Sequence, residues 1–339
     1  MRCIALADAW RKAGGEAVLL GECAGALLER AQKSFSFVYS TDGSNRVQET
    51  KRKIQVILAN KKPESCWIAL DGYLFDYRYQ TAMRQVGCPL LVIDDFAHLS
   101  RYNADIILNQ NAGAEEFSYR TQTDTRLLLG TDYVLLREDL LRSKPHHVPI
   151  TNEHHILITM GGVDAPNMTQ EVLQALASTE RNDIRVRVLL GSGNPHIASV
   201  TAYARSLPLQ IETVVQSDNM AEHYTWATTA ISAAGTTTWE LCYFGVPAML
   251  IQIADNQQAI AEHLGKVGAV VNLGWFEHIG IDTLSASVNA YLDHKSKRFE
   301  MSNSARTLVD GKGGERVLSE MTQLSQRPIV TRKLPELIK

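Results

Sequence analysis

The sequence has little excess charge of either sign. Its 339 residues include 34 Lys and Arg against 37 Asp and Glu, which gives a formal net charge of -3. A nucleic-acid backbone or an anionic membrane surface requires clustered Lys and Arg, because these side chains displace the bound counterions. We therefore expect no nucleic-acid partner, and any anion that the protein binds should be small.

Long apolar runs are also lacking. Every apolar stretch is interrupted by a charged residue or a histidine before it reaches the ~18 residues needed to cross a bilayer. The first twelve residues have apolar side chains at helical spacing rather than one apolar block before a small-residue cleavage site. We expect no membrane insertion, no signal peptide and a cytoplasmic location.

Cysteine is scarce and scattered. The five cysteines stand singly, without the close paired spacing of zinc or redox sites, and neither a Ser-His-Asp order nor H-E-x-x-H is present. The paired histidines at 146–147 and 154–155 lack metal-ligand spacing and are expected to be solvated. No metal or other cofactor is predicted, and the sequence leaves the oligomeric state open.

Short apolar runs alternate with helical patterns along most of the chain. Runs such as residues 67–71, 90–94 and 155–160 are typical of strands buried on both faces of a parallel sheet. A polar, proline-containing stretch at 143–153 interrupts the series, which then restarts. This pattern predicts an α/β protein with two Rossmann-like domains, 1–145 and 153–326, facing each other across a ligand-binding cleft.

The strongest local signal is the loop from Ser232 to Thr236. An apolar strand ends there, small residues including Gly235 follow, and hydroxyl residues open a helix. Small residues let backbone amides approach an anion closely, and a helix start adds unpaired donors and a positive dipole end. This loop predicts a diphosphate site, although a simple Ser/Thr helix cap is the alternative. One helical turn further, Glu240 could accept hydrogen bonds from a ribose diol.

Two further segments of the second half carry candidate site residues. Gly161, Gly162 and Asp164 form a second glycine turn after a strand, but without G-x-G-x-x-G or a P-loop lysine. It could form the opposite wall of the phosphate pocket. The amides of Asn256 and Gln257 suit sugar hydroxyls, with a helix cap as an equally good interpretation.

In the first half, two strand ends carry acidic and phenolic groups. Asp71 is followed two residues later by Tyr73, and Asp94 and Asp95 end the next strand. A carboxylate there can orient a base, and a tyrosine hydroxyl can donate to an attacking or leaving oxygen. For Asp94 and Asp95, capping of a turn is the favoured interpretation.

The order of these motifs resembles the PseG-type enzymes, which hydrolyse UDP-2,4-diacetamido-2,4,6-trideoxy-β-L-altropyranose in pseudaminic acid biosynthesis. Further matching pieces are Gly245-x-Pro247 and Leu129-Gly130-x-x-Tyr133-x-Leu-Leu136-Arg137, and the match ends near Trp275. The resemblance implies a MurG-like GT-B fold, with the nucleotide held mainly by the second domain. It also implies release of UDP by one inverting attack of water on the anomeric carbon.

The resemblance further implies roles for single residues. Tyr73 and Asn256 correspond to catalytic positions at the sugar end, and Glu240 to the ribose position. The diphosphate loop would comprise Ser232, Gly235 and Thr236. The other substrate-binding positions would be Gly161, Gly162, Asp164 and Gln257.

One departure from the family pattern affects the expected activity. The family's first strand and its Gly-x-Gly-His turn, whose histidine is regarded as the base, have no counterpart in this sequence. We expect that the first residue is an internal methionine of a longer protein or that the homologue is truncated. Loss of the base would impair hydrolysis. A MurG-like glycosyltransferase and a protein that only binds UDP-sugars are the alternatives.

Overall fold

A computed structural model of the chain describes residues 1–21, 23, 25–39, 47–59, 61–143 and 153–325. The predicted linker lies mostly outside the described residues, as do His146, His147 and the tail after residue 325. The strands within the described residues are β1 (Val18–Leu20), β2 (Phe37–Tyr39), β3 (Ile68–Asp71), β4 (Leu90–Ile93), β5 (Ile106–Asn109), β6 (Arg126–Leu129), β7 (His154–Thr159), β8 (Ile184–Leu190), β9 (Gln210–Val215), β10 (Thr229–Ala233), β11 (Ala248–Gln252) and β12 (Val270–Trp275).

Helices alternate with these strands, as the apolar patterns predict. The α-helices are α1 (Arg2–Lys12), α2 (Gly25–Ser34), α3 (Val47–Ile57), α4 (Tyr77–Arg84), α5 (Glu138–Leu141), α6 (Met168–Ala177), α7 (Ile197–Ser206), α8 (Met220–Trp226), α9 (Thr237–Phe244), α10 (Gln258–Lys266), α11 (Ile281–Asp293), α12 (Lys295–Leu308) and α13 (Gly313–Ser325). Short 3-10 turns at 63–65, 114–116, 131–133, 255–257 and 276–278 complete the connections. No helix among the described residues is long and apolar enough to cross a membrane.

The second half is built on one six-stranded parallel sheet. Its strand order is β12-β11-β10-β7-β8-β9, so the order reverses between β7 and β10. Ile156 and Ile158 of β7 pack into one apolar cluster and Leu157 into another, because successive side chains point to opposite faces. Helices cover both faces, and the sheet has the doubly wound order of a Rossmann-like domain.

The first half contains two parallel sheets. Strands β3-β4-β5-β6 form one sheet in sequence order, and β1 pairs with β2 in the other. In β4 and β5 all eight residues are buried, which explains why every one of them except Asn109 is apolar. Helix α1 begins at Arg2, which confirms the helix predicted at the start of the sequence. Together the two halves form the predicted α/β architecture.

The last helix does not stay with the half that precedes it. The patterns at 279–326 predict helices within the second domain, and α11, α12 and α13 confirm the helices themselves. However, Val317 and Met321 of α13 are buried in one cluster with Leu6, Leu91 and Leu108 of the first half. The boundary predicted at 326 is therefore wrong for this element, because the apolar face of α13 is covered by the first core.

Candidate functional site

The most prominent candidate site lies where the strand order of the second sheet reverses. Strands β7 and β10 are adjacent there, with Ser232 paired to Thr159. The segments that follow them, residues 160–167 and 234–236, therefore emerge side by side at the carboxyl edge of the sheet. Ligands of doubly wound folds bind in the crevice at this switch point.

The glycine turn after β7 presents bare backbone to this crevice. Gly161 has a φ of 80°, a left-handed conformation that favours glycine. No atom of the described residues lies within 4 Å of the position a Cβ would take at Gly161 or Gly162. Behind the turn, a Cβ on Gly191 would lie 2.4 Å from the Gly162 carbonyl oxygen. The turn is thus supported closely from behind and open in front.

Asp164 supports this turn from within. Its side chain is buried, and its carboxylate accepts hydrogen bonds from the backbone amides of Met168 and Thr169 and from the Thr169 hydroxyl. Burial raises the pKa of this carboxyl, and the hydrogen bonds from Thr169 and Met168 oppose the rise. Both oxygens are therefore occupied in starting α6. The prediction that Asp164 binds substrate is therefore corrected: its carboxylate positions the glycine turn against the start of α6.

The loop after β10 differs from its prediction in one residue. Ser232 is fully buried in the strand, and its hydroxyl donates to the Ala233 carbonyl at 3.0 Å, so this side chain does not line the loop. Thr236 is exposed at the start of α9 and makes no capping hydrogen bond through its side chain with any described residue. The small residues and the helix start that a phosphate site needs are thus in place.

Gln257, in the short 3-10 turn that follows β11, lies next to the same loop. A Cβ on Gly235 would lie 3.8 Å from the Gln257 side-chain nitrogen, Nε2. The other end of that amide, Oε1, accepts from the Ile253 backbone amide at 2.9 Å. The side chain is therefore held in place with its NH2 group beside Gly235.

Glu240 lies where the two halves meet. Its carboxylate accepts a hydrogen bond from the buried hydroxyl of Tyr224, and its Oε1 lies 3.9 Å from Nη2 of Arg137, a buried residue of the first half. Burial raises the pKa of Glu240, while Arg137 and Tyr224 oppose the rise. Because Oε2 is taken by Tyr224, Oε1 is the oxygen that could accept from a sugar diol.

The first half contributes a charged cluster at the ends of β3 and β4. The Arg2 guanidinium donates to Asp71 at 2.6 Å and to Asp95 at 2.5 Å, and Asn111 donates to Asp95 at 3.0 Å. Burial alone would raise the pKa of Asp95, but Arg2 and the other hydrogen bonds outweigh it and hold that pKa below its usual value. Asp95 is therefore an ionised wall residue rather than a turn cap.

Tyr73 connects this cluster to the second half. Its hydroxyl donates to Asp95 at 2.8 Å and accepts from the side-chain amide of Asn256 at 3.1 Å. Burial and the hydrogen bond to Asp95 raise the pKa of Tyr73 to about 12, so the phenol keeps its proton at neutral pH. The two residues assigned to the sugar end of the site are therefore in contact, although 183 positions separate them.

Several participants were not identified from the sequence. Arg2 and Asn111 stand outside every motif, and Arg137 lies in the matching segment 129–137 without a role predicted for it. The roles of all three depend on distant acidic partners. The expectation that His154 and His155 are solvated is wrong. His154 is buried, and the His155 ring stacks on Trp226 at 4.7 Å. Among the described residues, no group of three His, Cys, Asp or Glu side chains could hold a metal ion.

Comparison with known proteins shows which family domain the second half resembles. Residues 155–316 match the model of the glycosyltransferase family 28 C-terminal domain. The spore coat polysaccharide biosynthesis protein SpsG of Bacillus subtilis is 26% identical over 67% of this chain and 67% of its own length. The UDP-N-acetylglucosamine--N-acetylmuramyl-(pentapeptide) pyrophosphoryl-undecaprenol N-acetylglucosamine transferase of Methylococcus capsulatus is 28% identical over 51% of this chain. That match spans 49% of the transferase.

Solved structures extend the similarity to both halves. MurG of Acinetobacter baumannii superposes with a TM-score of 0.65 over 95% of both chains, at 17% identity. UDP-GlcNAc 2-epimerase of Neisseria meningitidis, solved with UDP-GlcNAc bound, gives a TM-score of 0.63 at 12% identity over 95% of this chain and 98% of its own. At these identities the likeness shows the fold, which is that of the GT-B glycosyltransferases and related epimerases.

Proposed function

We propose that this protein binds a UDP-sugar between its halves and transfers the sugar from UDP to a hydroxyl acceptor. The observation that carries the proposal is the pair of small-residue loops at the strand-order switch point, within residues that match a glycosyltransferase domain. The relatives named for UDP-sugars and the UDP-GlcNAc complex of a structural neighbour support UDP as the nucleotide.

The substrate would lie along the candidate residues in a fixed order. The diphosphate would bind the amides of Gly161, Gly162 and Gly235 at the start of α9, where the helix dipole favours negative charge. The ribose would reach Oε1 of Glu240. The sugar would then extend toward Tyr73 and Asn256, where an amide and a phenol can hydrogen-bond its hydroxyls.

The same geometry suggests how the bond between sugar and UDP breaks. The amides of the two loops would stabilise the negative charge that develops on the departing diphosphate. On the opposite side, the ionised carboxylate of Asp95 would stabilise the positive charge that forms on the sugar ring. The attacking oxygen would enter from the first half, on the side away from UDP.

Hydrolysis of a UDP-linked 2,4-diacetamido-2,4,6-trideoxy hexose is the second candidate. Two observations favour it, the PseG-type order of motifs and the direct hydrogen bond between Tyr73 and Asn256. Contact between the two walls leaves less room for a large acceptor than for water.

Release of UDP from UDP-N-acetylglucosamine and from the UDP-2,4-diacetamido-2,4,6-trideoxy hexose tests these alternatives. We expect saturable UDP binding by calorimetry and UDP release that depends on an added hydroxyl acceptor. Release in water alone would select hydrolysis. Binding without release under either condition would select a binding-only protein, and absence of UDP binding would contradict the proposal.

A further inference from the structure

A buried carboxylate organises the turn beside Tyr73. Asp94 ends β4 and is fully buried, and its Oδ2 accepts from the backbone amides of Phe96 and Ala97 at 3.1 and 2.6 Å. Ala97 has a φ of 52°, a left-handed conformation that costs a non-glycine residue of order 1 kcal/mol. The turn is therefore held in a strained shape, which fixes where Phe96 and His98 point.

The hydrogen bonds around Asp94 determine which groups donate a proton to its carboxylate. The hydroxyl of Tyr102 accepts from the Leu99 amide, and that of Tyr119 accepts from the Asn109 side chain, so both hydroxyl protons are donated to Asp94. Asp94 thus acts purely as an acceptor. His98 Nδ1, which lies 2.7 Å from Asp94 Oδ1, must then be the donor, and in the neutral imidazole Nε2 keeps its lone pair.

Nε2 of His98 is buried and is the one atom of this network without a hydrogen-bond partner among the described residues. An unpaired buried polar atom lowers the stability of the folded state. A catalytic role is one physical reason for a protein to keep such an atom. An imidazole with one nitrogen fixed by a buried carboxylate and the other unoccupied has the arrangement of a catalytic base.

Two partly exposed aromatic rings pack against the imidazole of His98. The ring centroids of His98, Tyr73 and Phe96 form a triangle with 5.4 Å between each pair. Tyr73 is 48% and Phe96 40% exposed, so both rings are accessible to a ligand. The hydroxyl of Tyr73 accepts from Asn256 of the second half, so the imidazole that packs on Tyr73 lies next to the predicted sugar end of the site.

We propose that His98 is the general base of this protein and that it accepts the proton of the attacking hydroxyl group. This role rests on the proposed function. As the acceptor oxygen bonds to the anomeric carbon, its proton passes to Nε2, and the bond to UDP breaks with its electron pair going to the diphosphate oxygen. The imidazolium that forms is stabilised by Asp94 and afterwards releases its proton to solvent. With water as acceptor the same steps give hydrolysis.

Two variants separate a base from a structural residue. His98→Asn keeps a donor for Asp94 but removes the ring nitrogen, and His98→Ala removes both. We expect both variants to lose kcat for UDP release by about a hundredfold to ten-thousandfold, with UDP affinity by calorimetry unchanged. His98→Asn should keep the wild-type Tm. As a matched control, Tyr119→Phe removes one hydrogen bond to Asp94 and should lower kcat by less than about tenfold.

The pH profile provides the second readout. Wild-type kcat/KM should fall at acidic pH, where a protonated imidazole cannot accept a proton, and this limb should be absent from His98→Asn. The titratable groups that contact His98 are Asp94, Tyr73 and Tyr102, and hydrogen bonds link these to Tyr119, Asp95 and Arg2. All six are unchanged in that variant.

Two further outcomes distinguish a failure of the role of His98 from a failure of the proposed function. Wild-type kcat and pH profile in His98→Asn would overturn the role of His98 and leave the proposed function intact. A wild-type protein that releases UDP from neither UDP-sugar, with or without an acceptor, would overturn the proposed function and the role of His98 with it.

Discussion

At the scale of single residues, the candidate site depends on groups whose charges are set by their neighbours. Arg2 lies between Asp71 and Asp95, and all three side chains are mostly buried. Burial alone would lower the pKa of Arg2, but the two carboxylates outweigh it and raise that pKa. Tyr73 and Asn111 add their donors to Asp95. The result is a preorganised wall with one fixed negative charge close to Tyr73.

This arrangement makes stability depend on pH through Asp95. Because its folded-state pKa lies below the unfolded value of about 3.9, its contribution is complete above that pH and is lost as the pH falls through the folded value. We expect Asp95→Asn to lower the free energy of unfolding by about 1–3 kcal/mol at pH 7, measured by urea denaturation.

The difference between wild type and Asp95→Asn should shrink below about pH 4. Glu29→Gln, which changes an exposed carboxyl group of α2, serves as control and should show a small difference at every pH. A gap for Asp95→Asn that stays constant down to pH 3 would contradict the ion pair with Arg2.

The glycine turn gives a second prediction at this scale. Gly162→Ala adds a methyl group into space that no described atom occupies, and Gly162 does not have a left-handed φ. We expect an unchanged Tm but a loss of UDP affinity of about tenfold or more, since the methyl would stand between the amide and the diphosphate. Gly193→Ala, whose Cβ would lie 3.4 Å from the Gly162 carbonyl oxygen, is the matched control and should bind UDP nearly normally. Equal affinities in all three proteins would place the nucleotide elsewhere.

At the scale of elements, the strands and helices follow from local patterns, but the partner of each element does not. Helix α13 has the apolar stripe of any amphipathic helix, and this stripe does not specify which core will cover it. In the structure Val317 and Met321 pack into the first half. This helix therefore follows the second half in sequence but packs on the core of the first half, which stabilises it.

Met321→Ala tests this packing. Removing a buried methionine side chain from the first core should lower the free energy of unfolding by about 2–5 kcal/mol, measured by urea denaturation. Ser319→Ala, on the exposed face of the same helix, should change it by less than about 0.5 kcal/mol. Similar effects of the two substitutions would mean that α13 does not contribute to that core.

At the scale of the whole molecule, the halves meet through two kinds of contact. Val134, Leu136 and Leu140 of the first half share an apolar cluster with the second, which fixes one side of the junction. Across the cleft the contacts are polar, as in the hydrogen bond from Asn256 to Tyr73 and the ion pair of Arg30 with Asp218 at 2.9 Å. Polar contacts in water are individually weak, so they stabilise the junction less than the apolar cluster does.

Asn256→Ala should separate binding from turnover. If UDP is held by the second half, its affinity should change by less than about twofold, whereas misplacement of the sugar should lower kcat by about tenfold to a hundredfold. Calorimetry and UDP release measure the two effects, and Gln258→Ala, on the exposed surface of α10, should change neither. A parallel loss of affinity and kcat would place Asn256 at the nucleotide instead.

The α/β class could be predicted from the sequence, and the structure has a strand at each of the apolar runs 67–71, 90–94 and 155–160. Buried parallel strands are apolar along their length and helices repeat every 3.6 residues, so these patterns are local. Which side chains meet is a different question. Asp164 and Ser232 carry the right chemistry, but their side chains hydrogen-bond to nearby backbone groups. Arg2 and Arg137 are instead paired with distant acidic residues, and the ring of Tyr73 from another strand end packs on His98. Only the tertiary structure decides this, because burial and hydrogen bonding depend on neighbours that sequence spacing does not record.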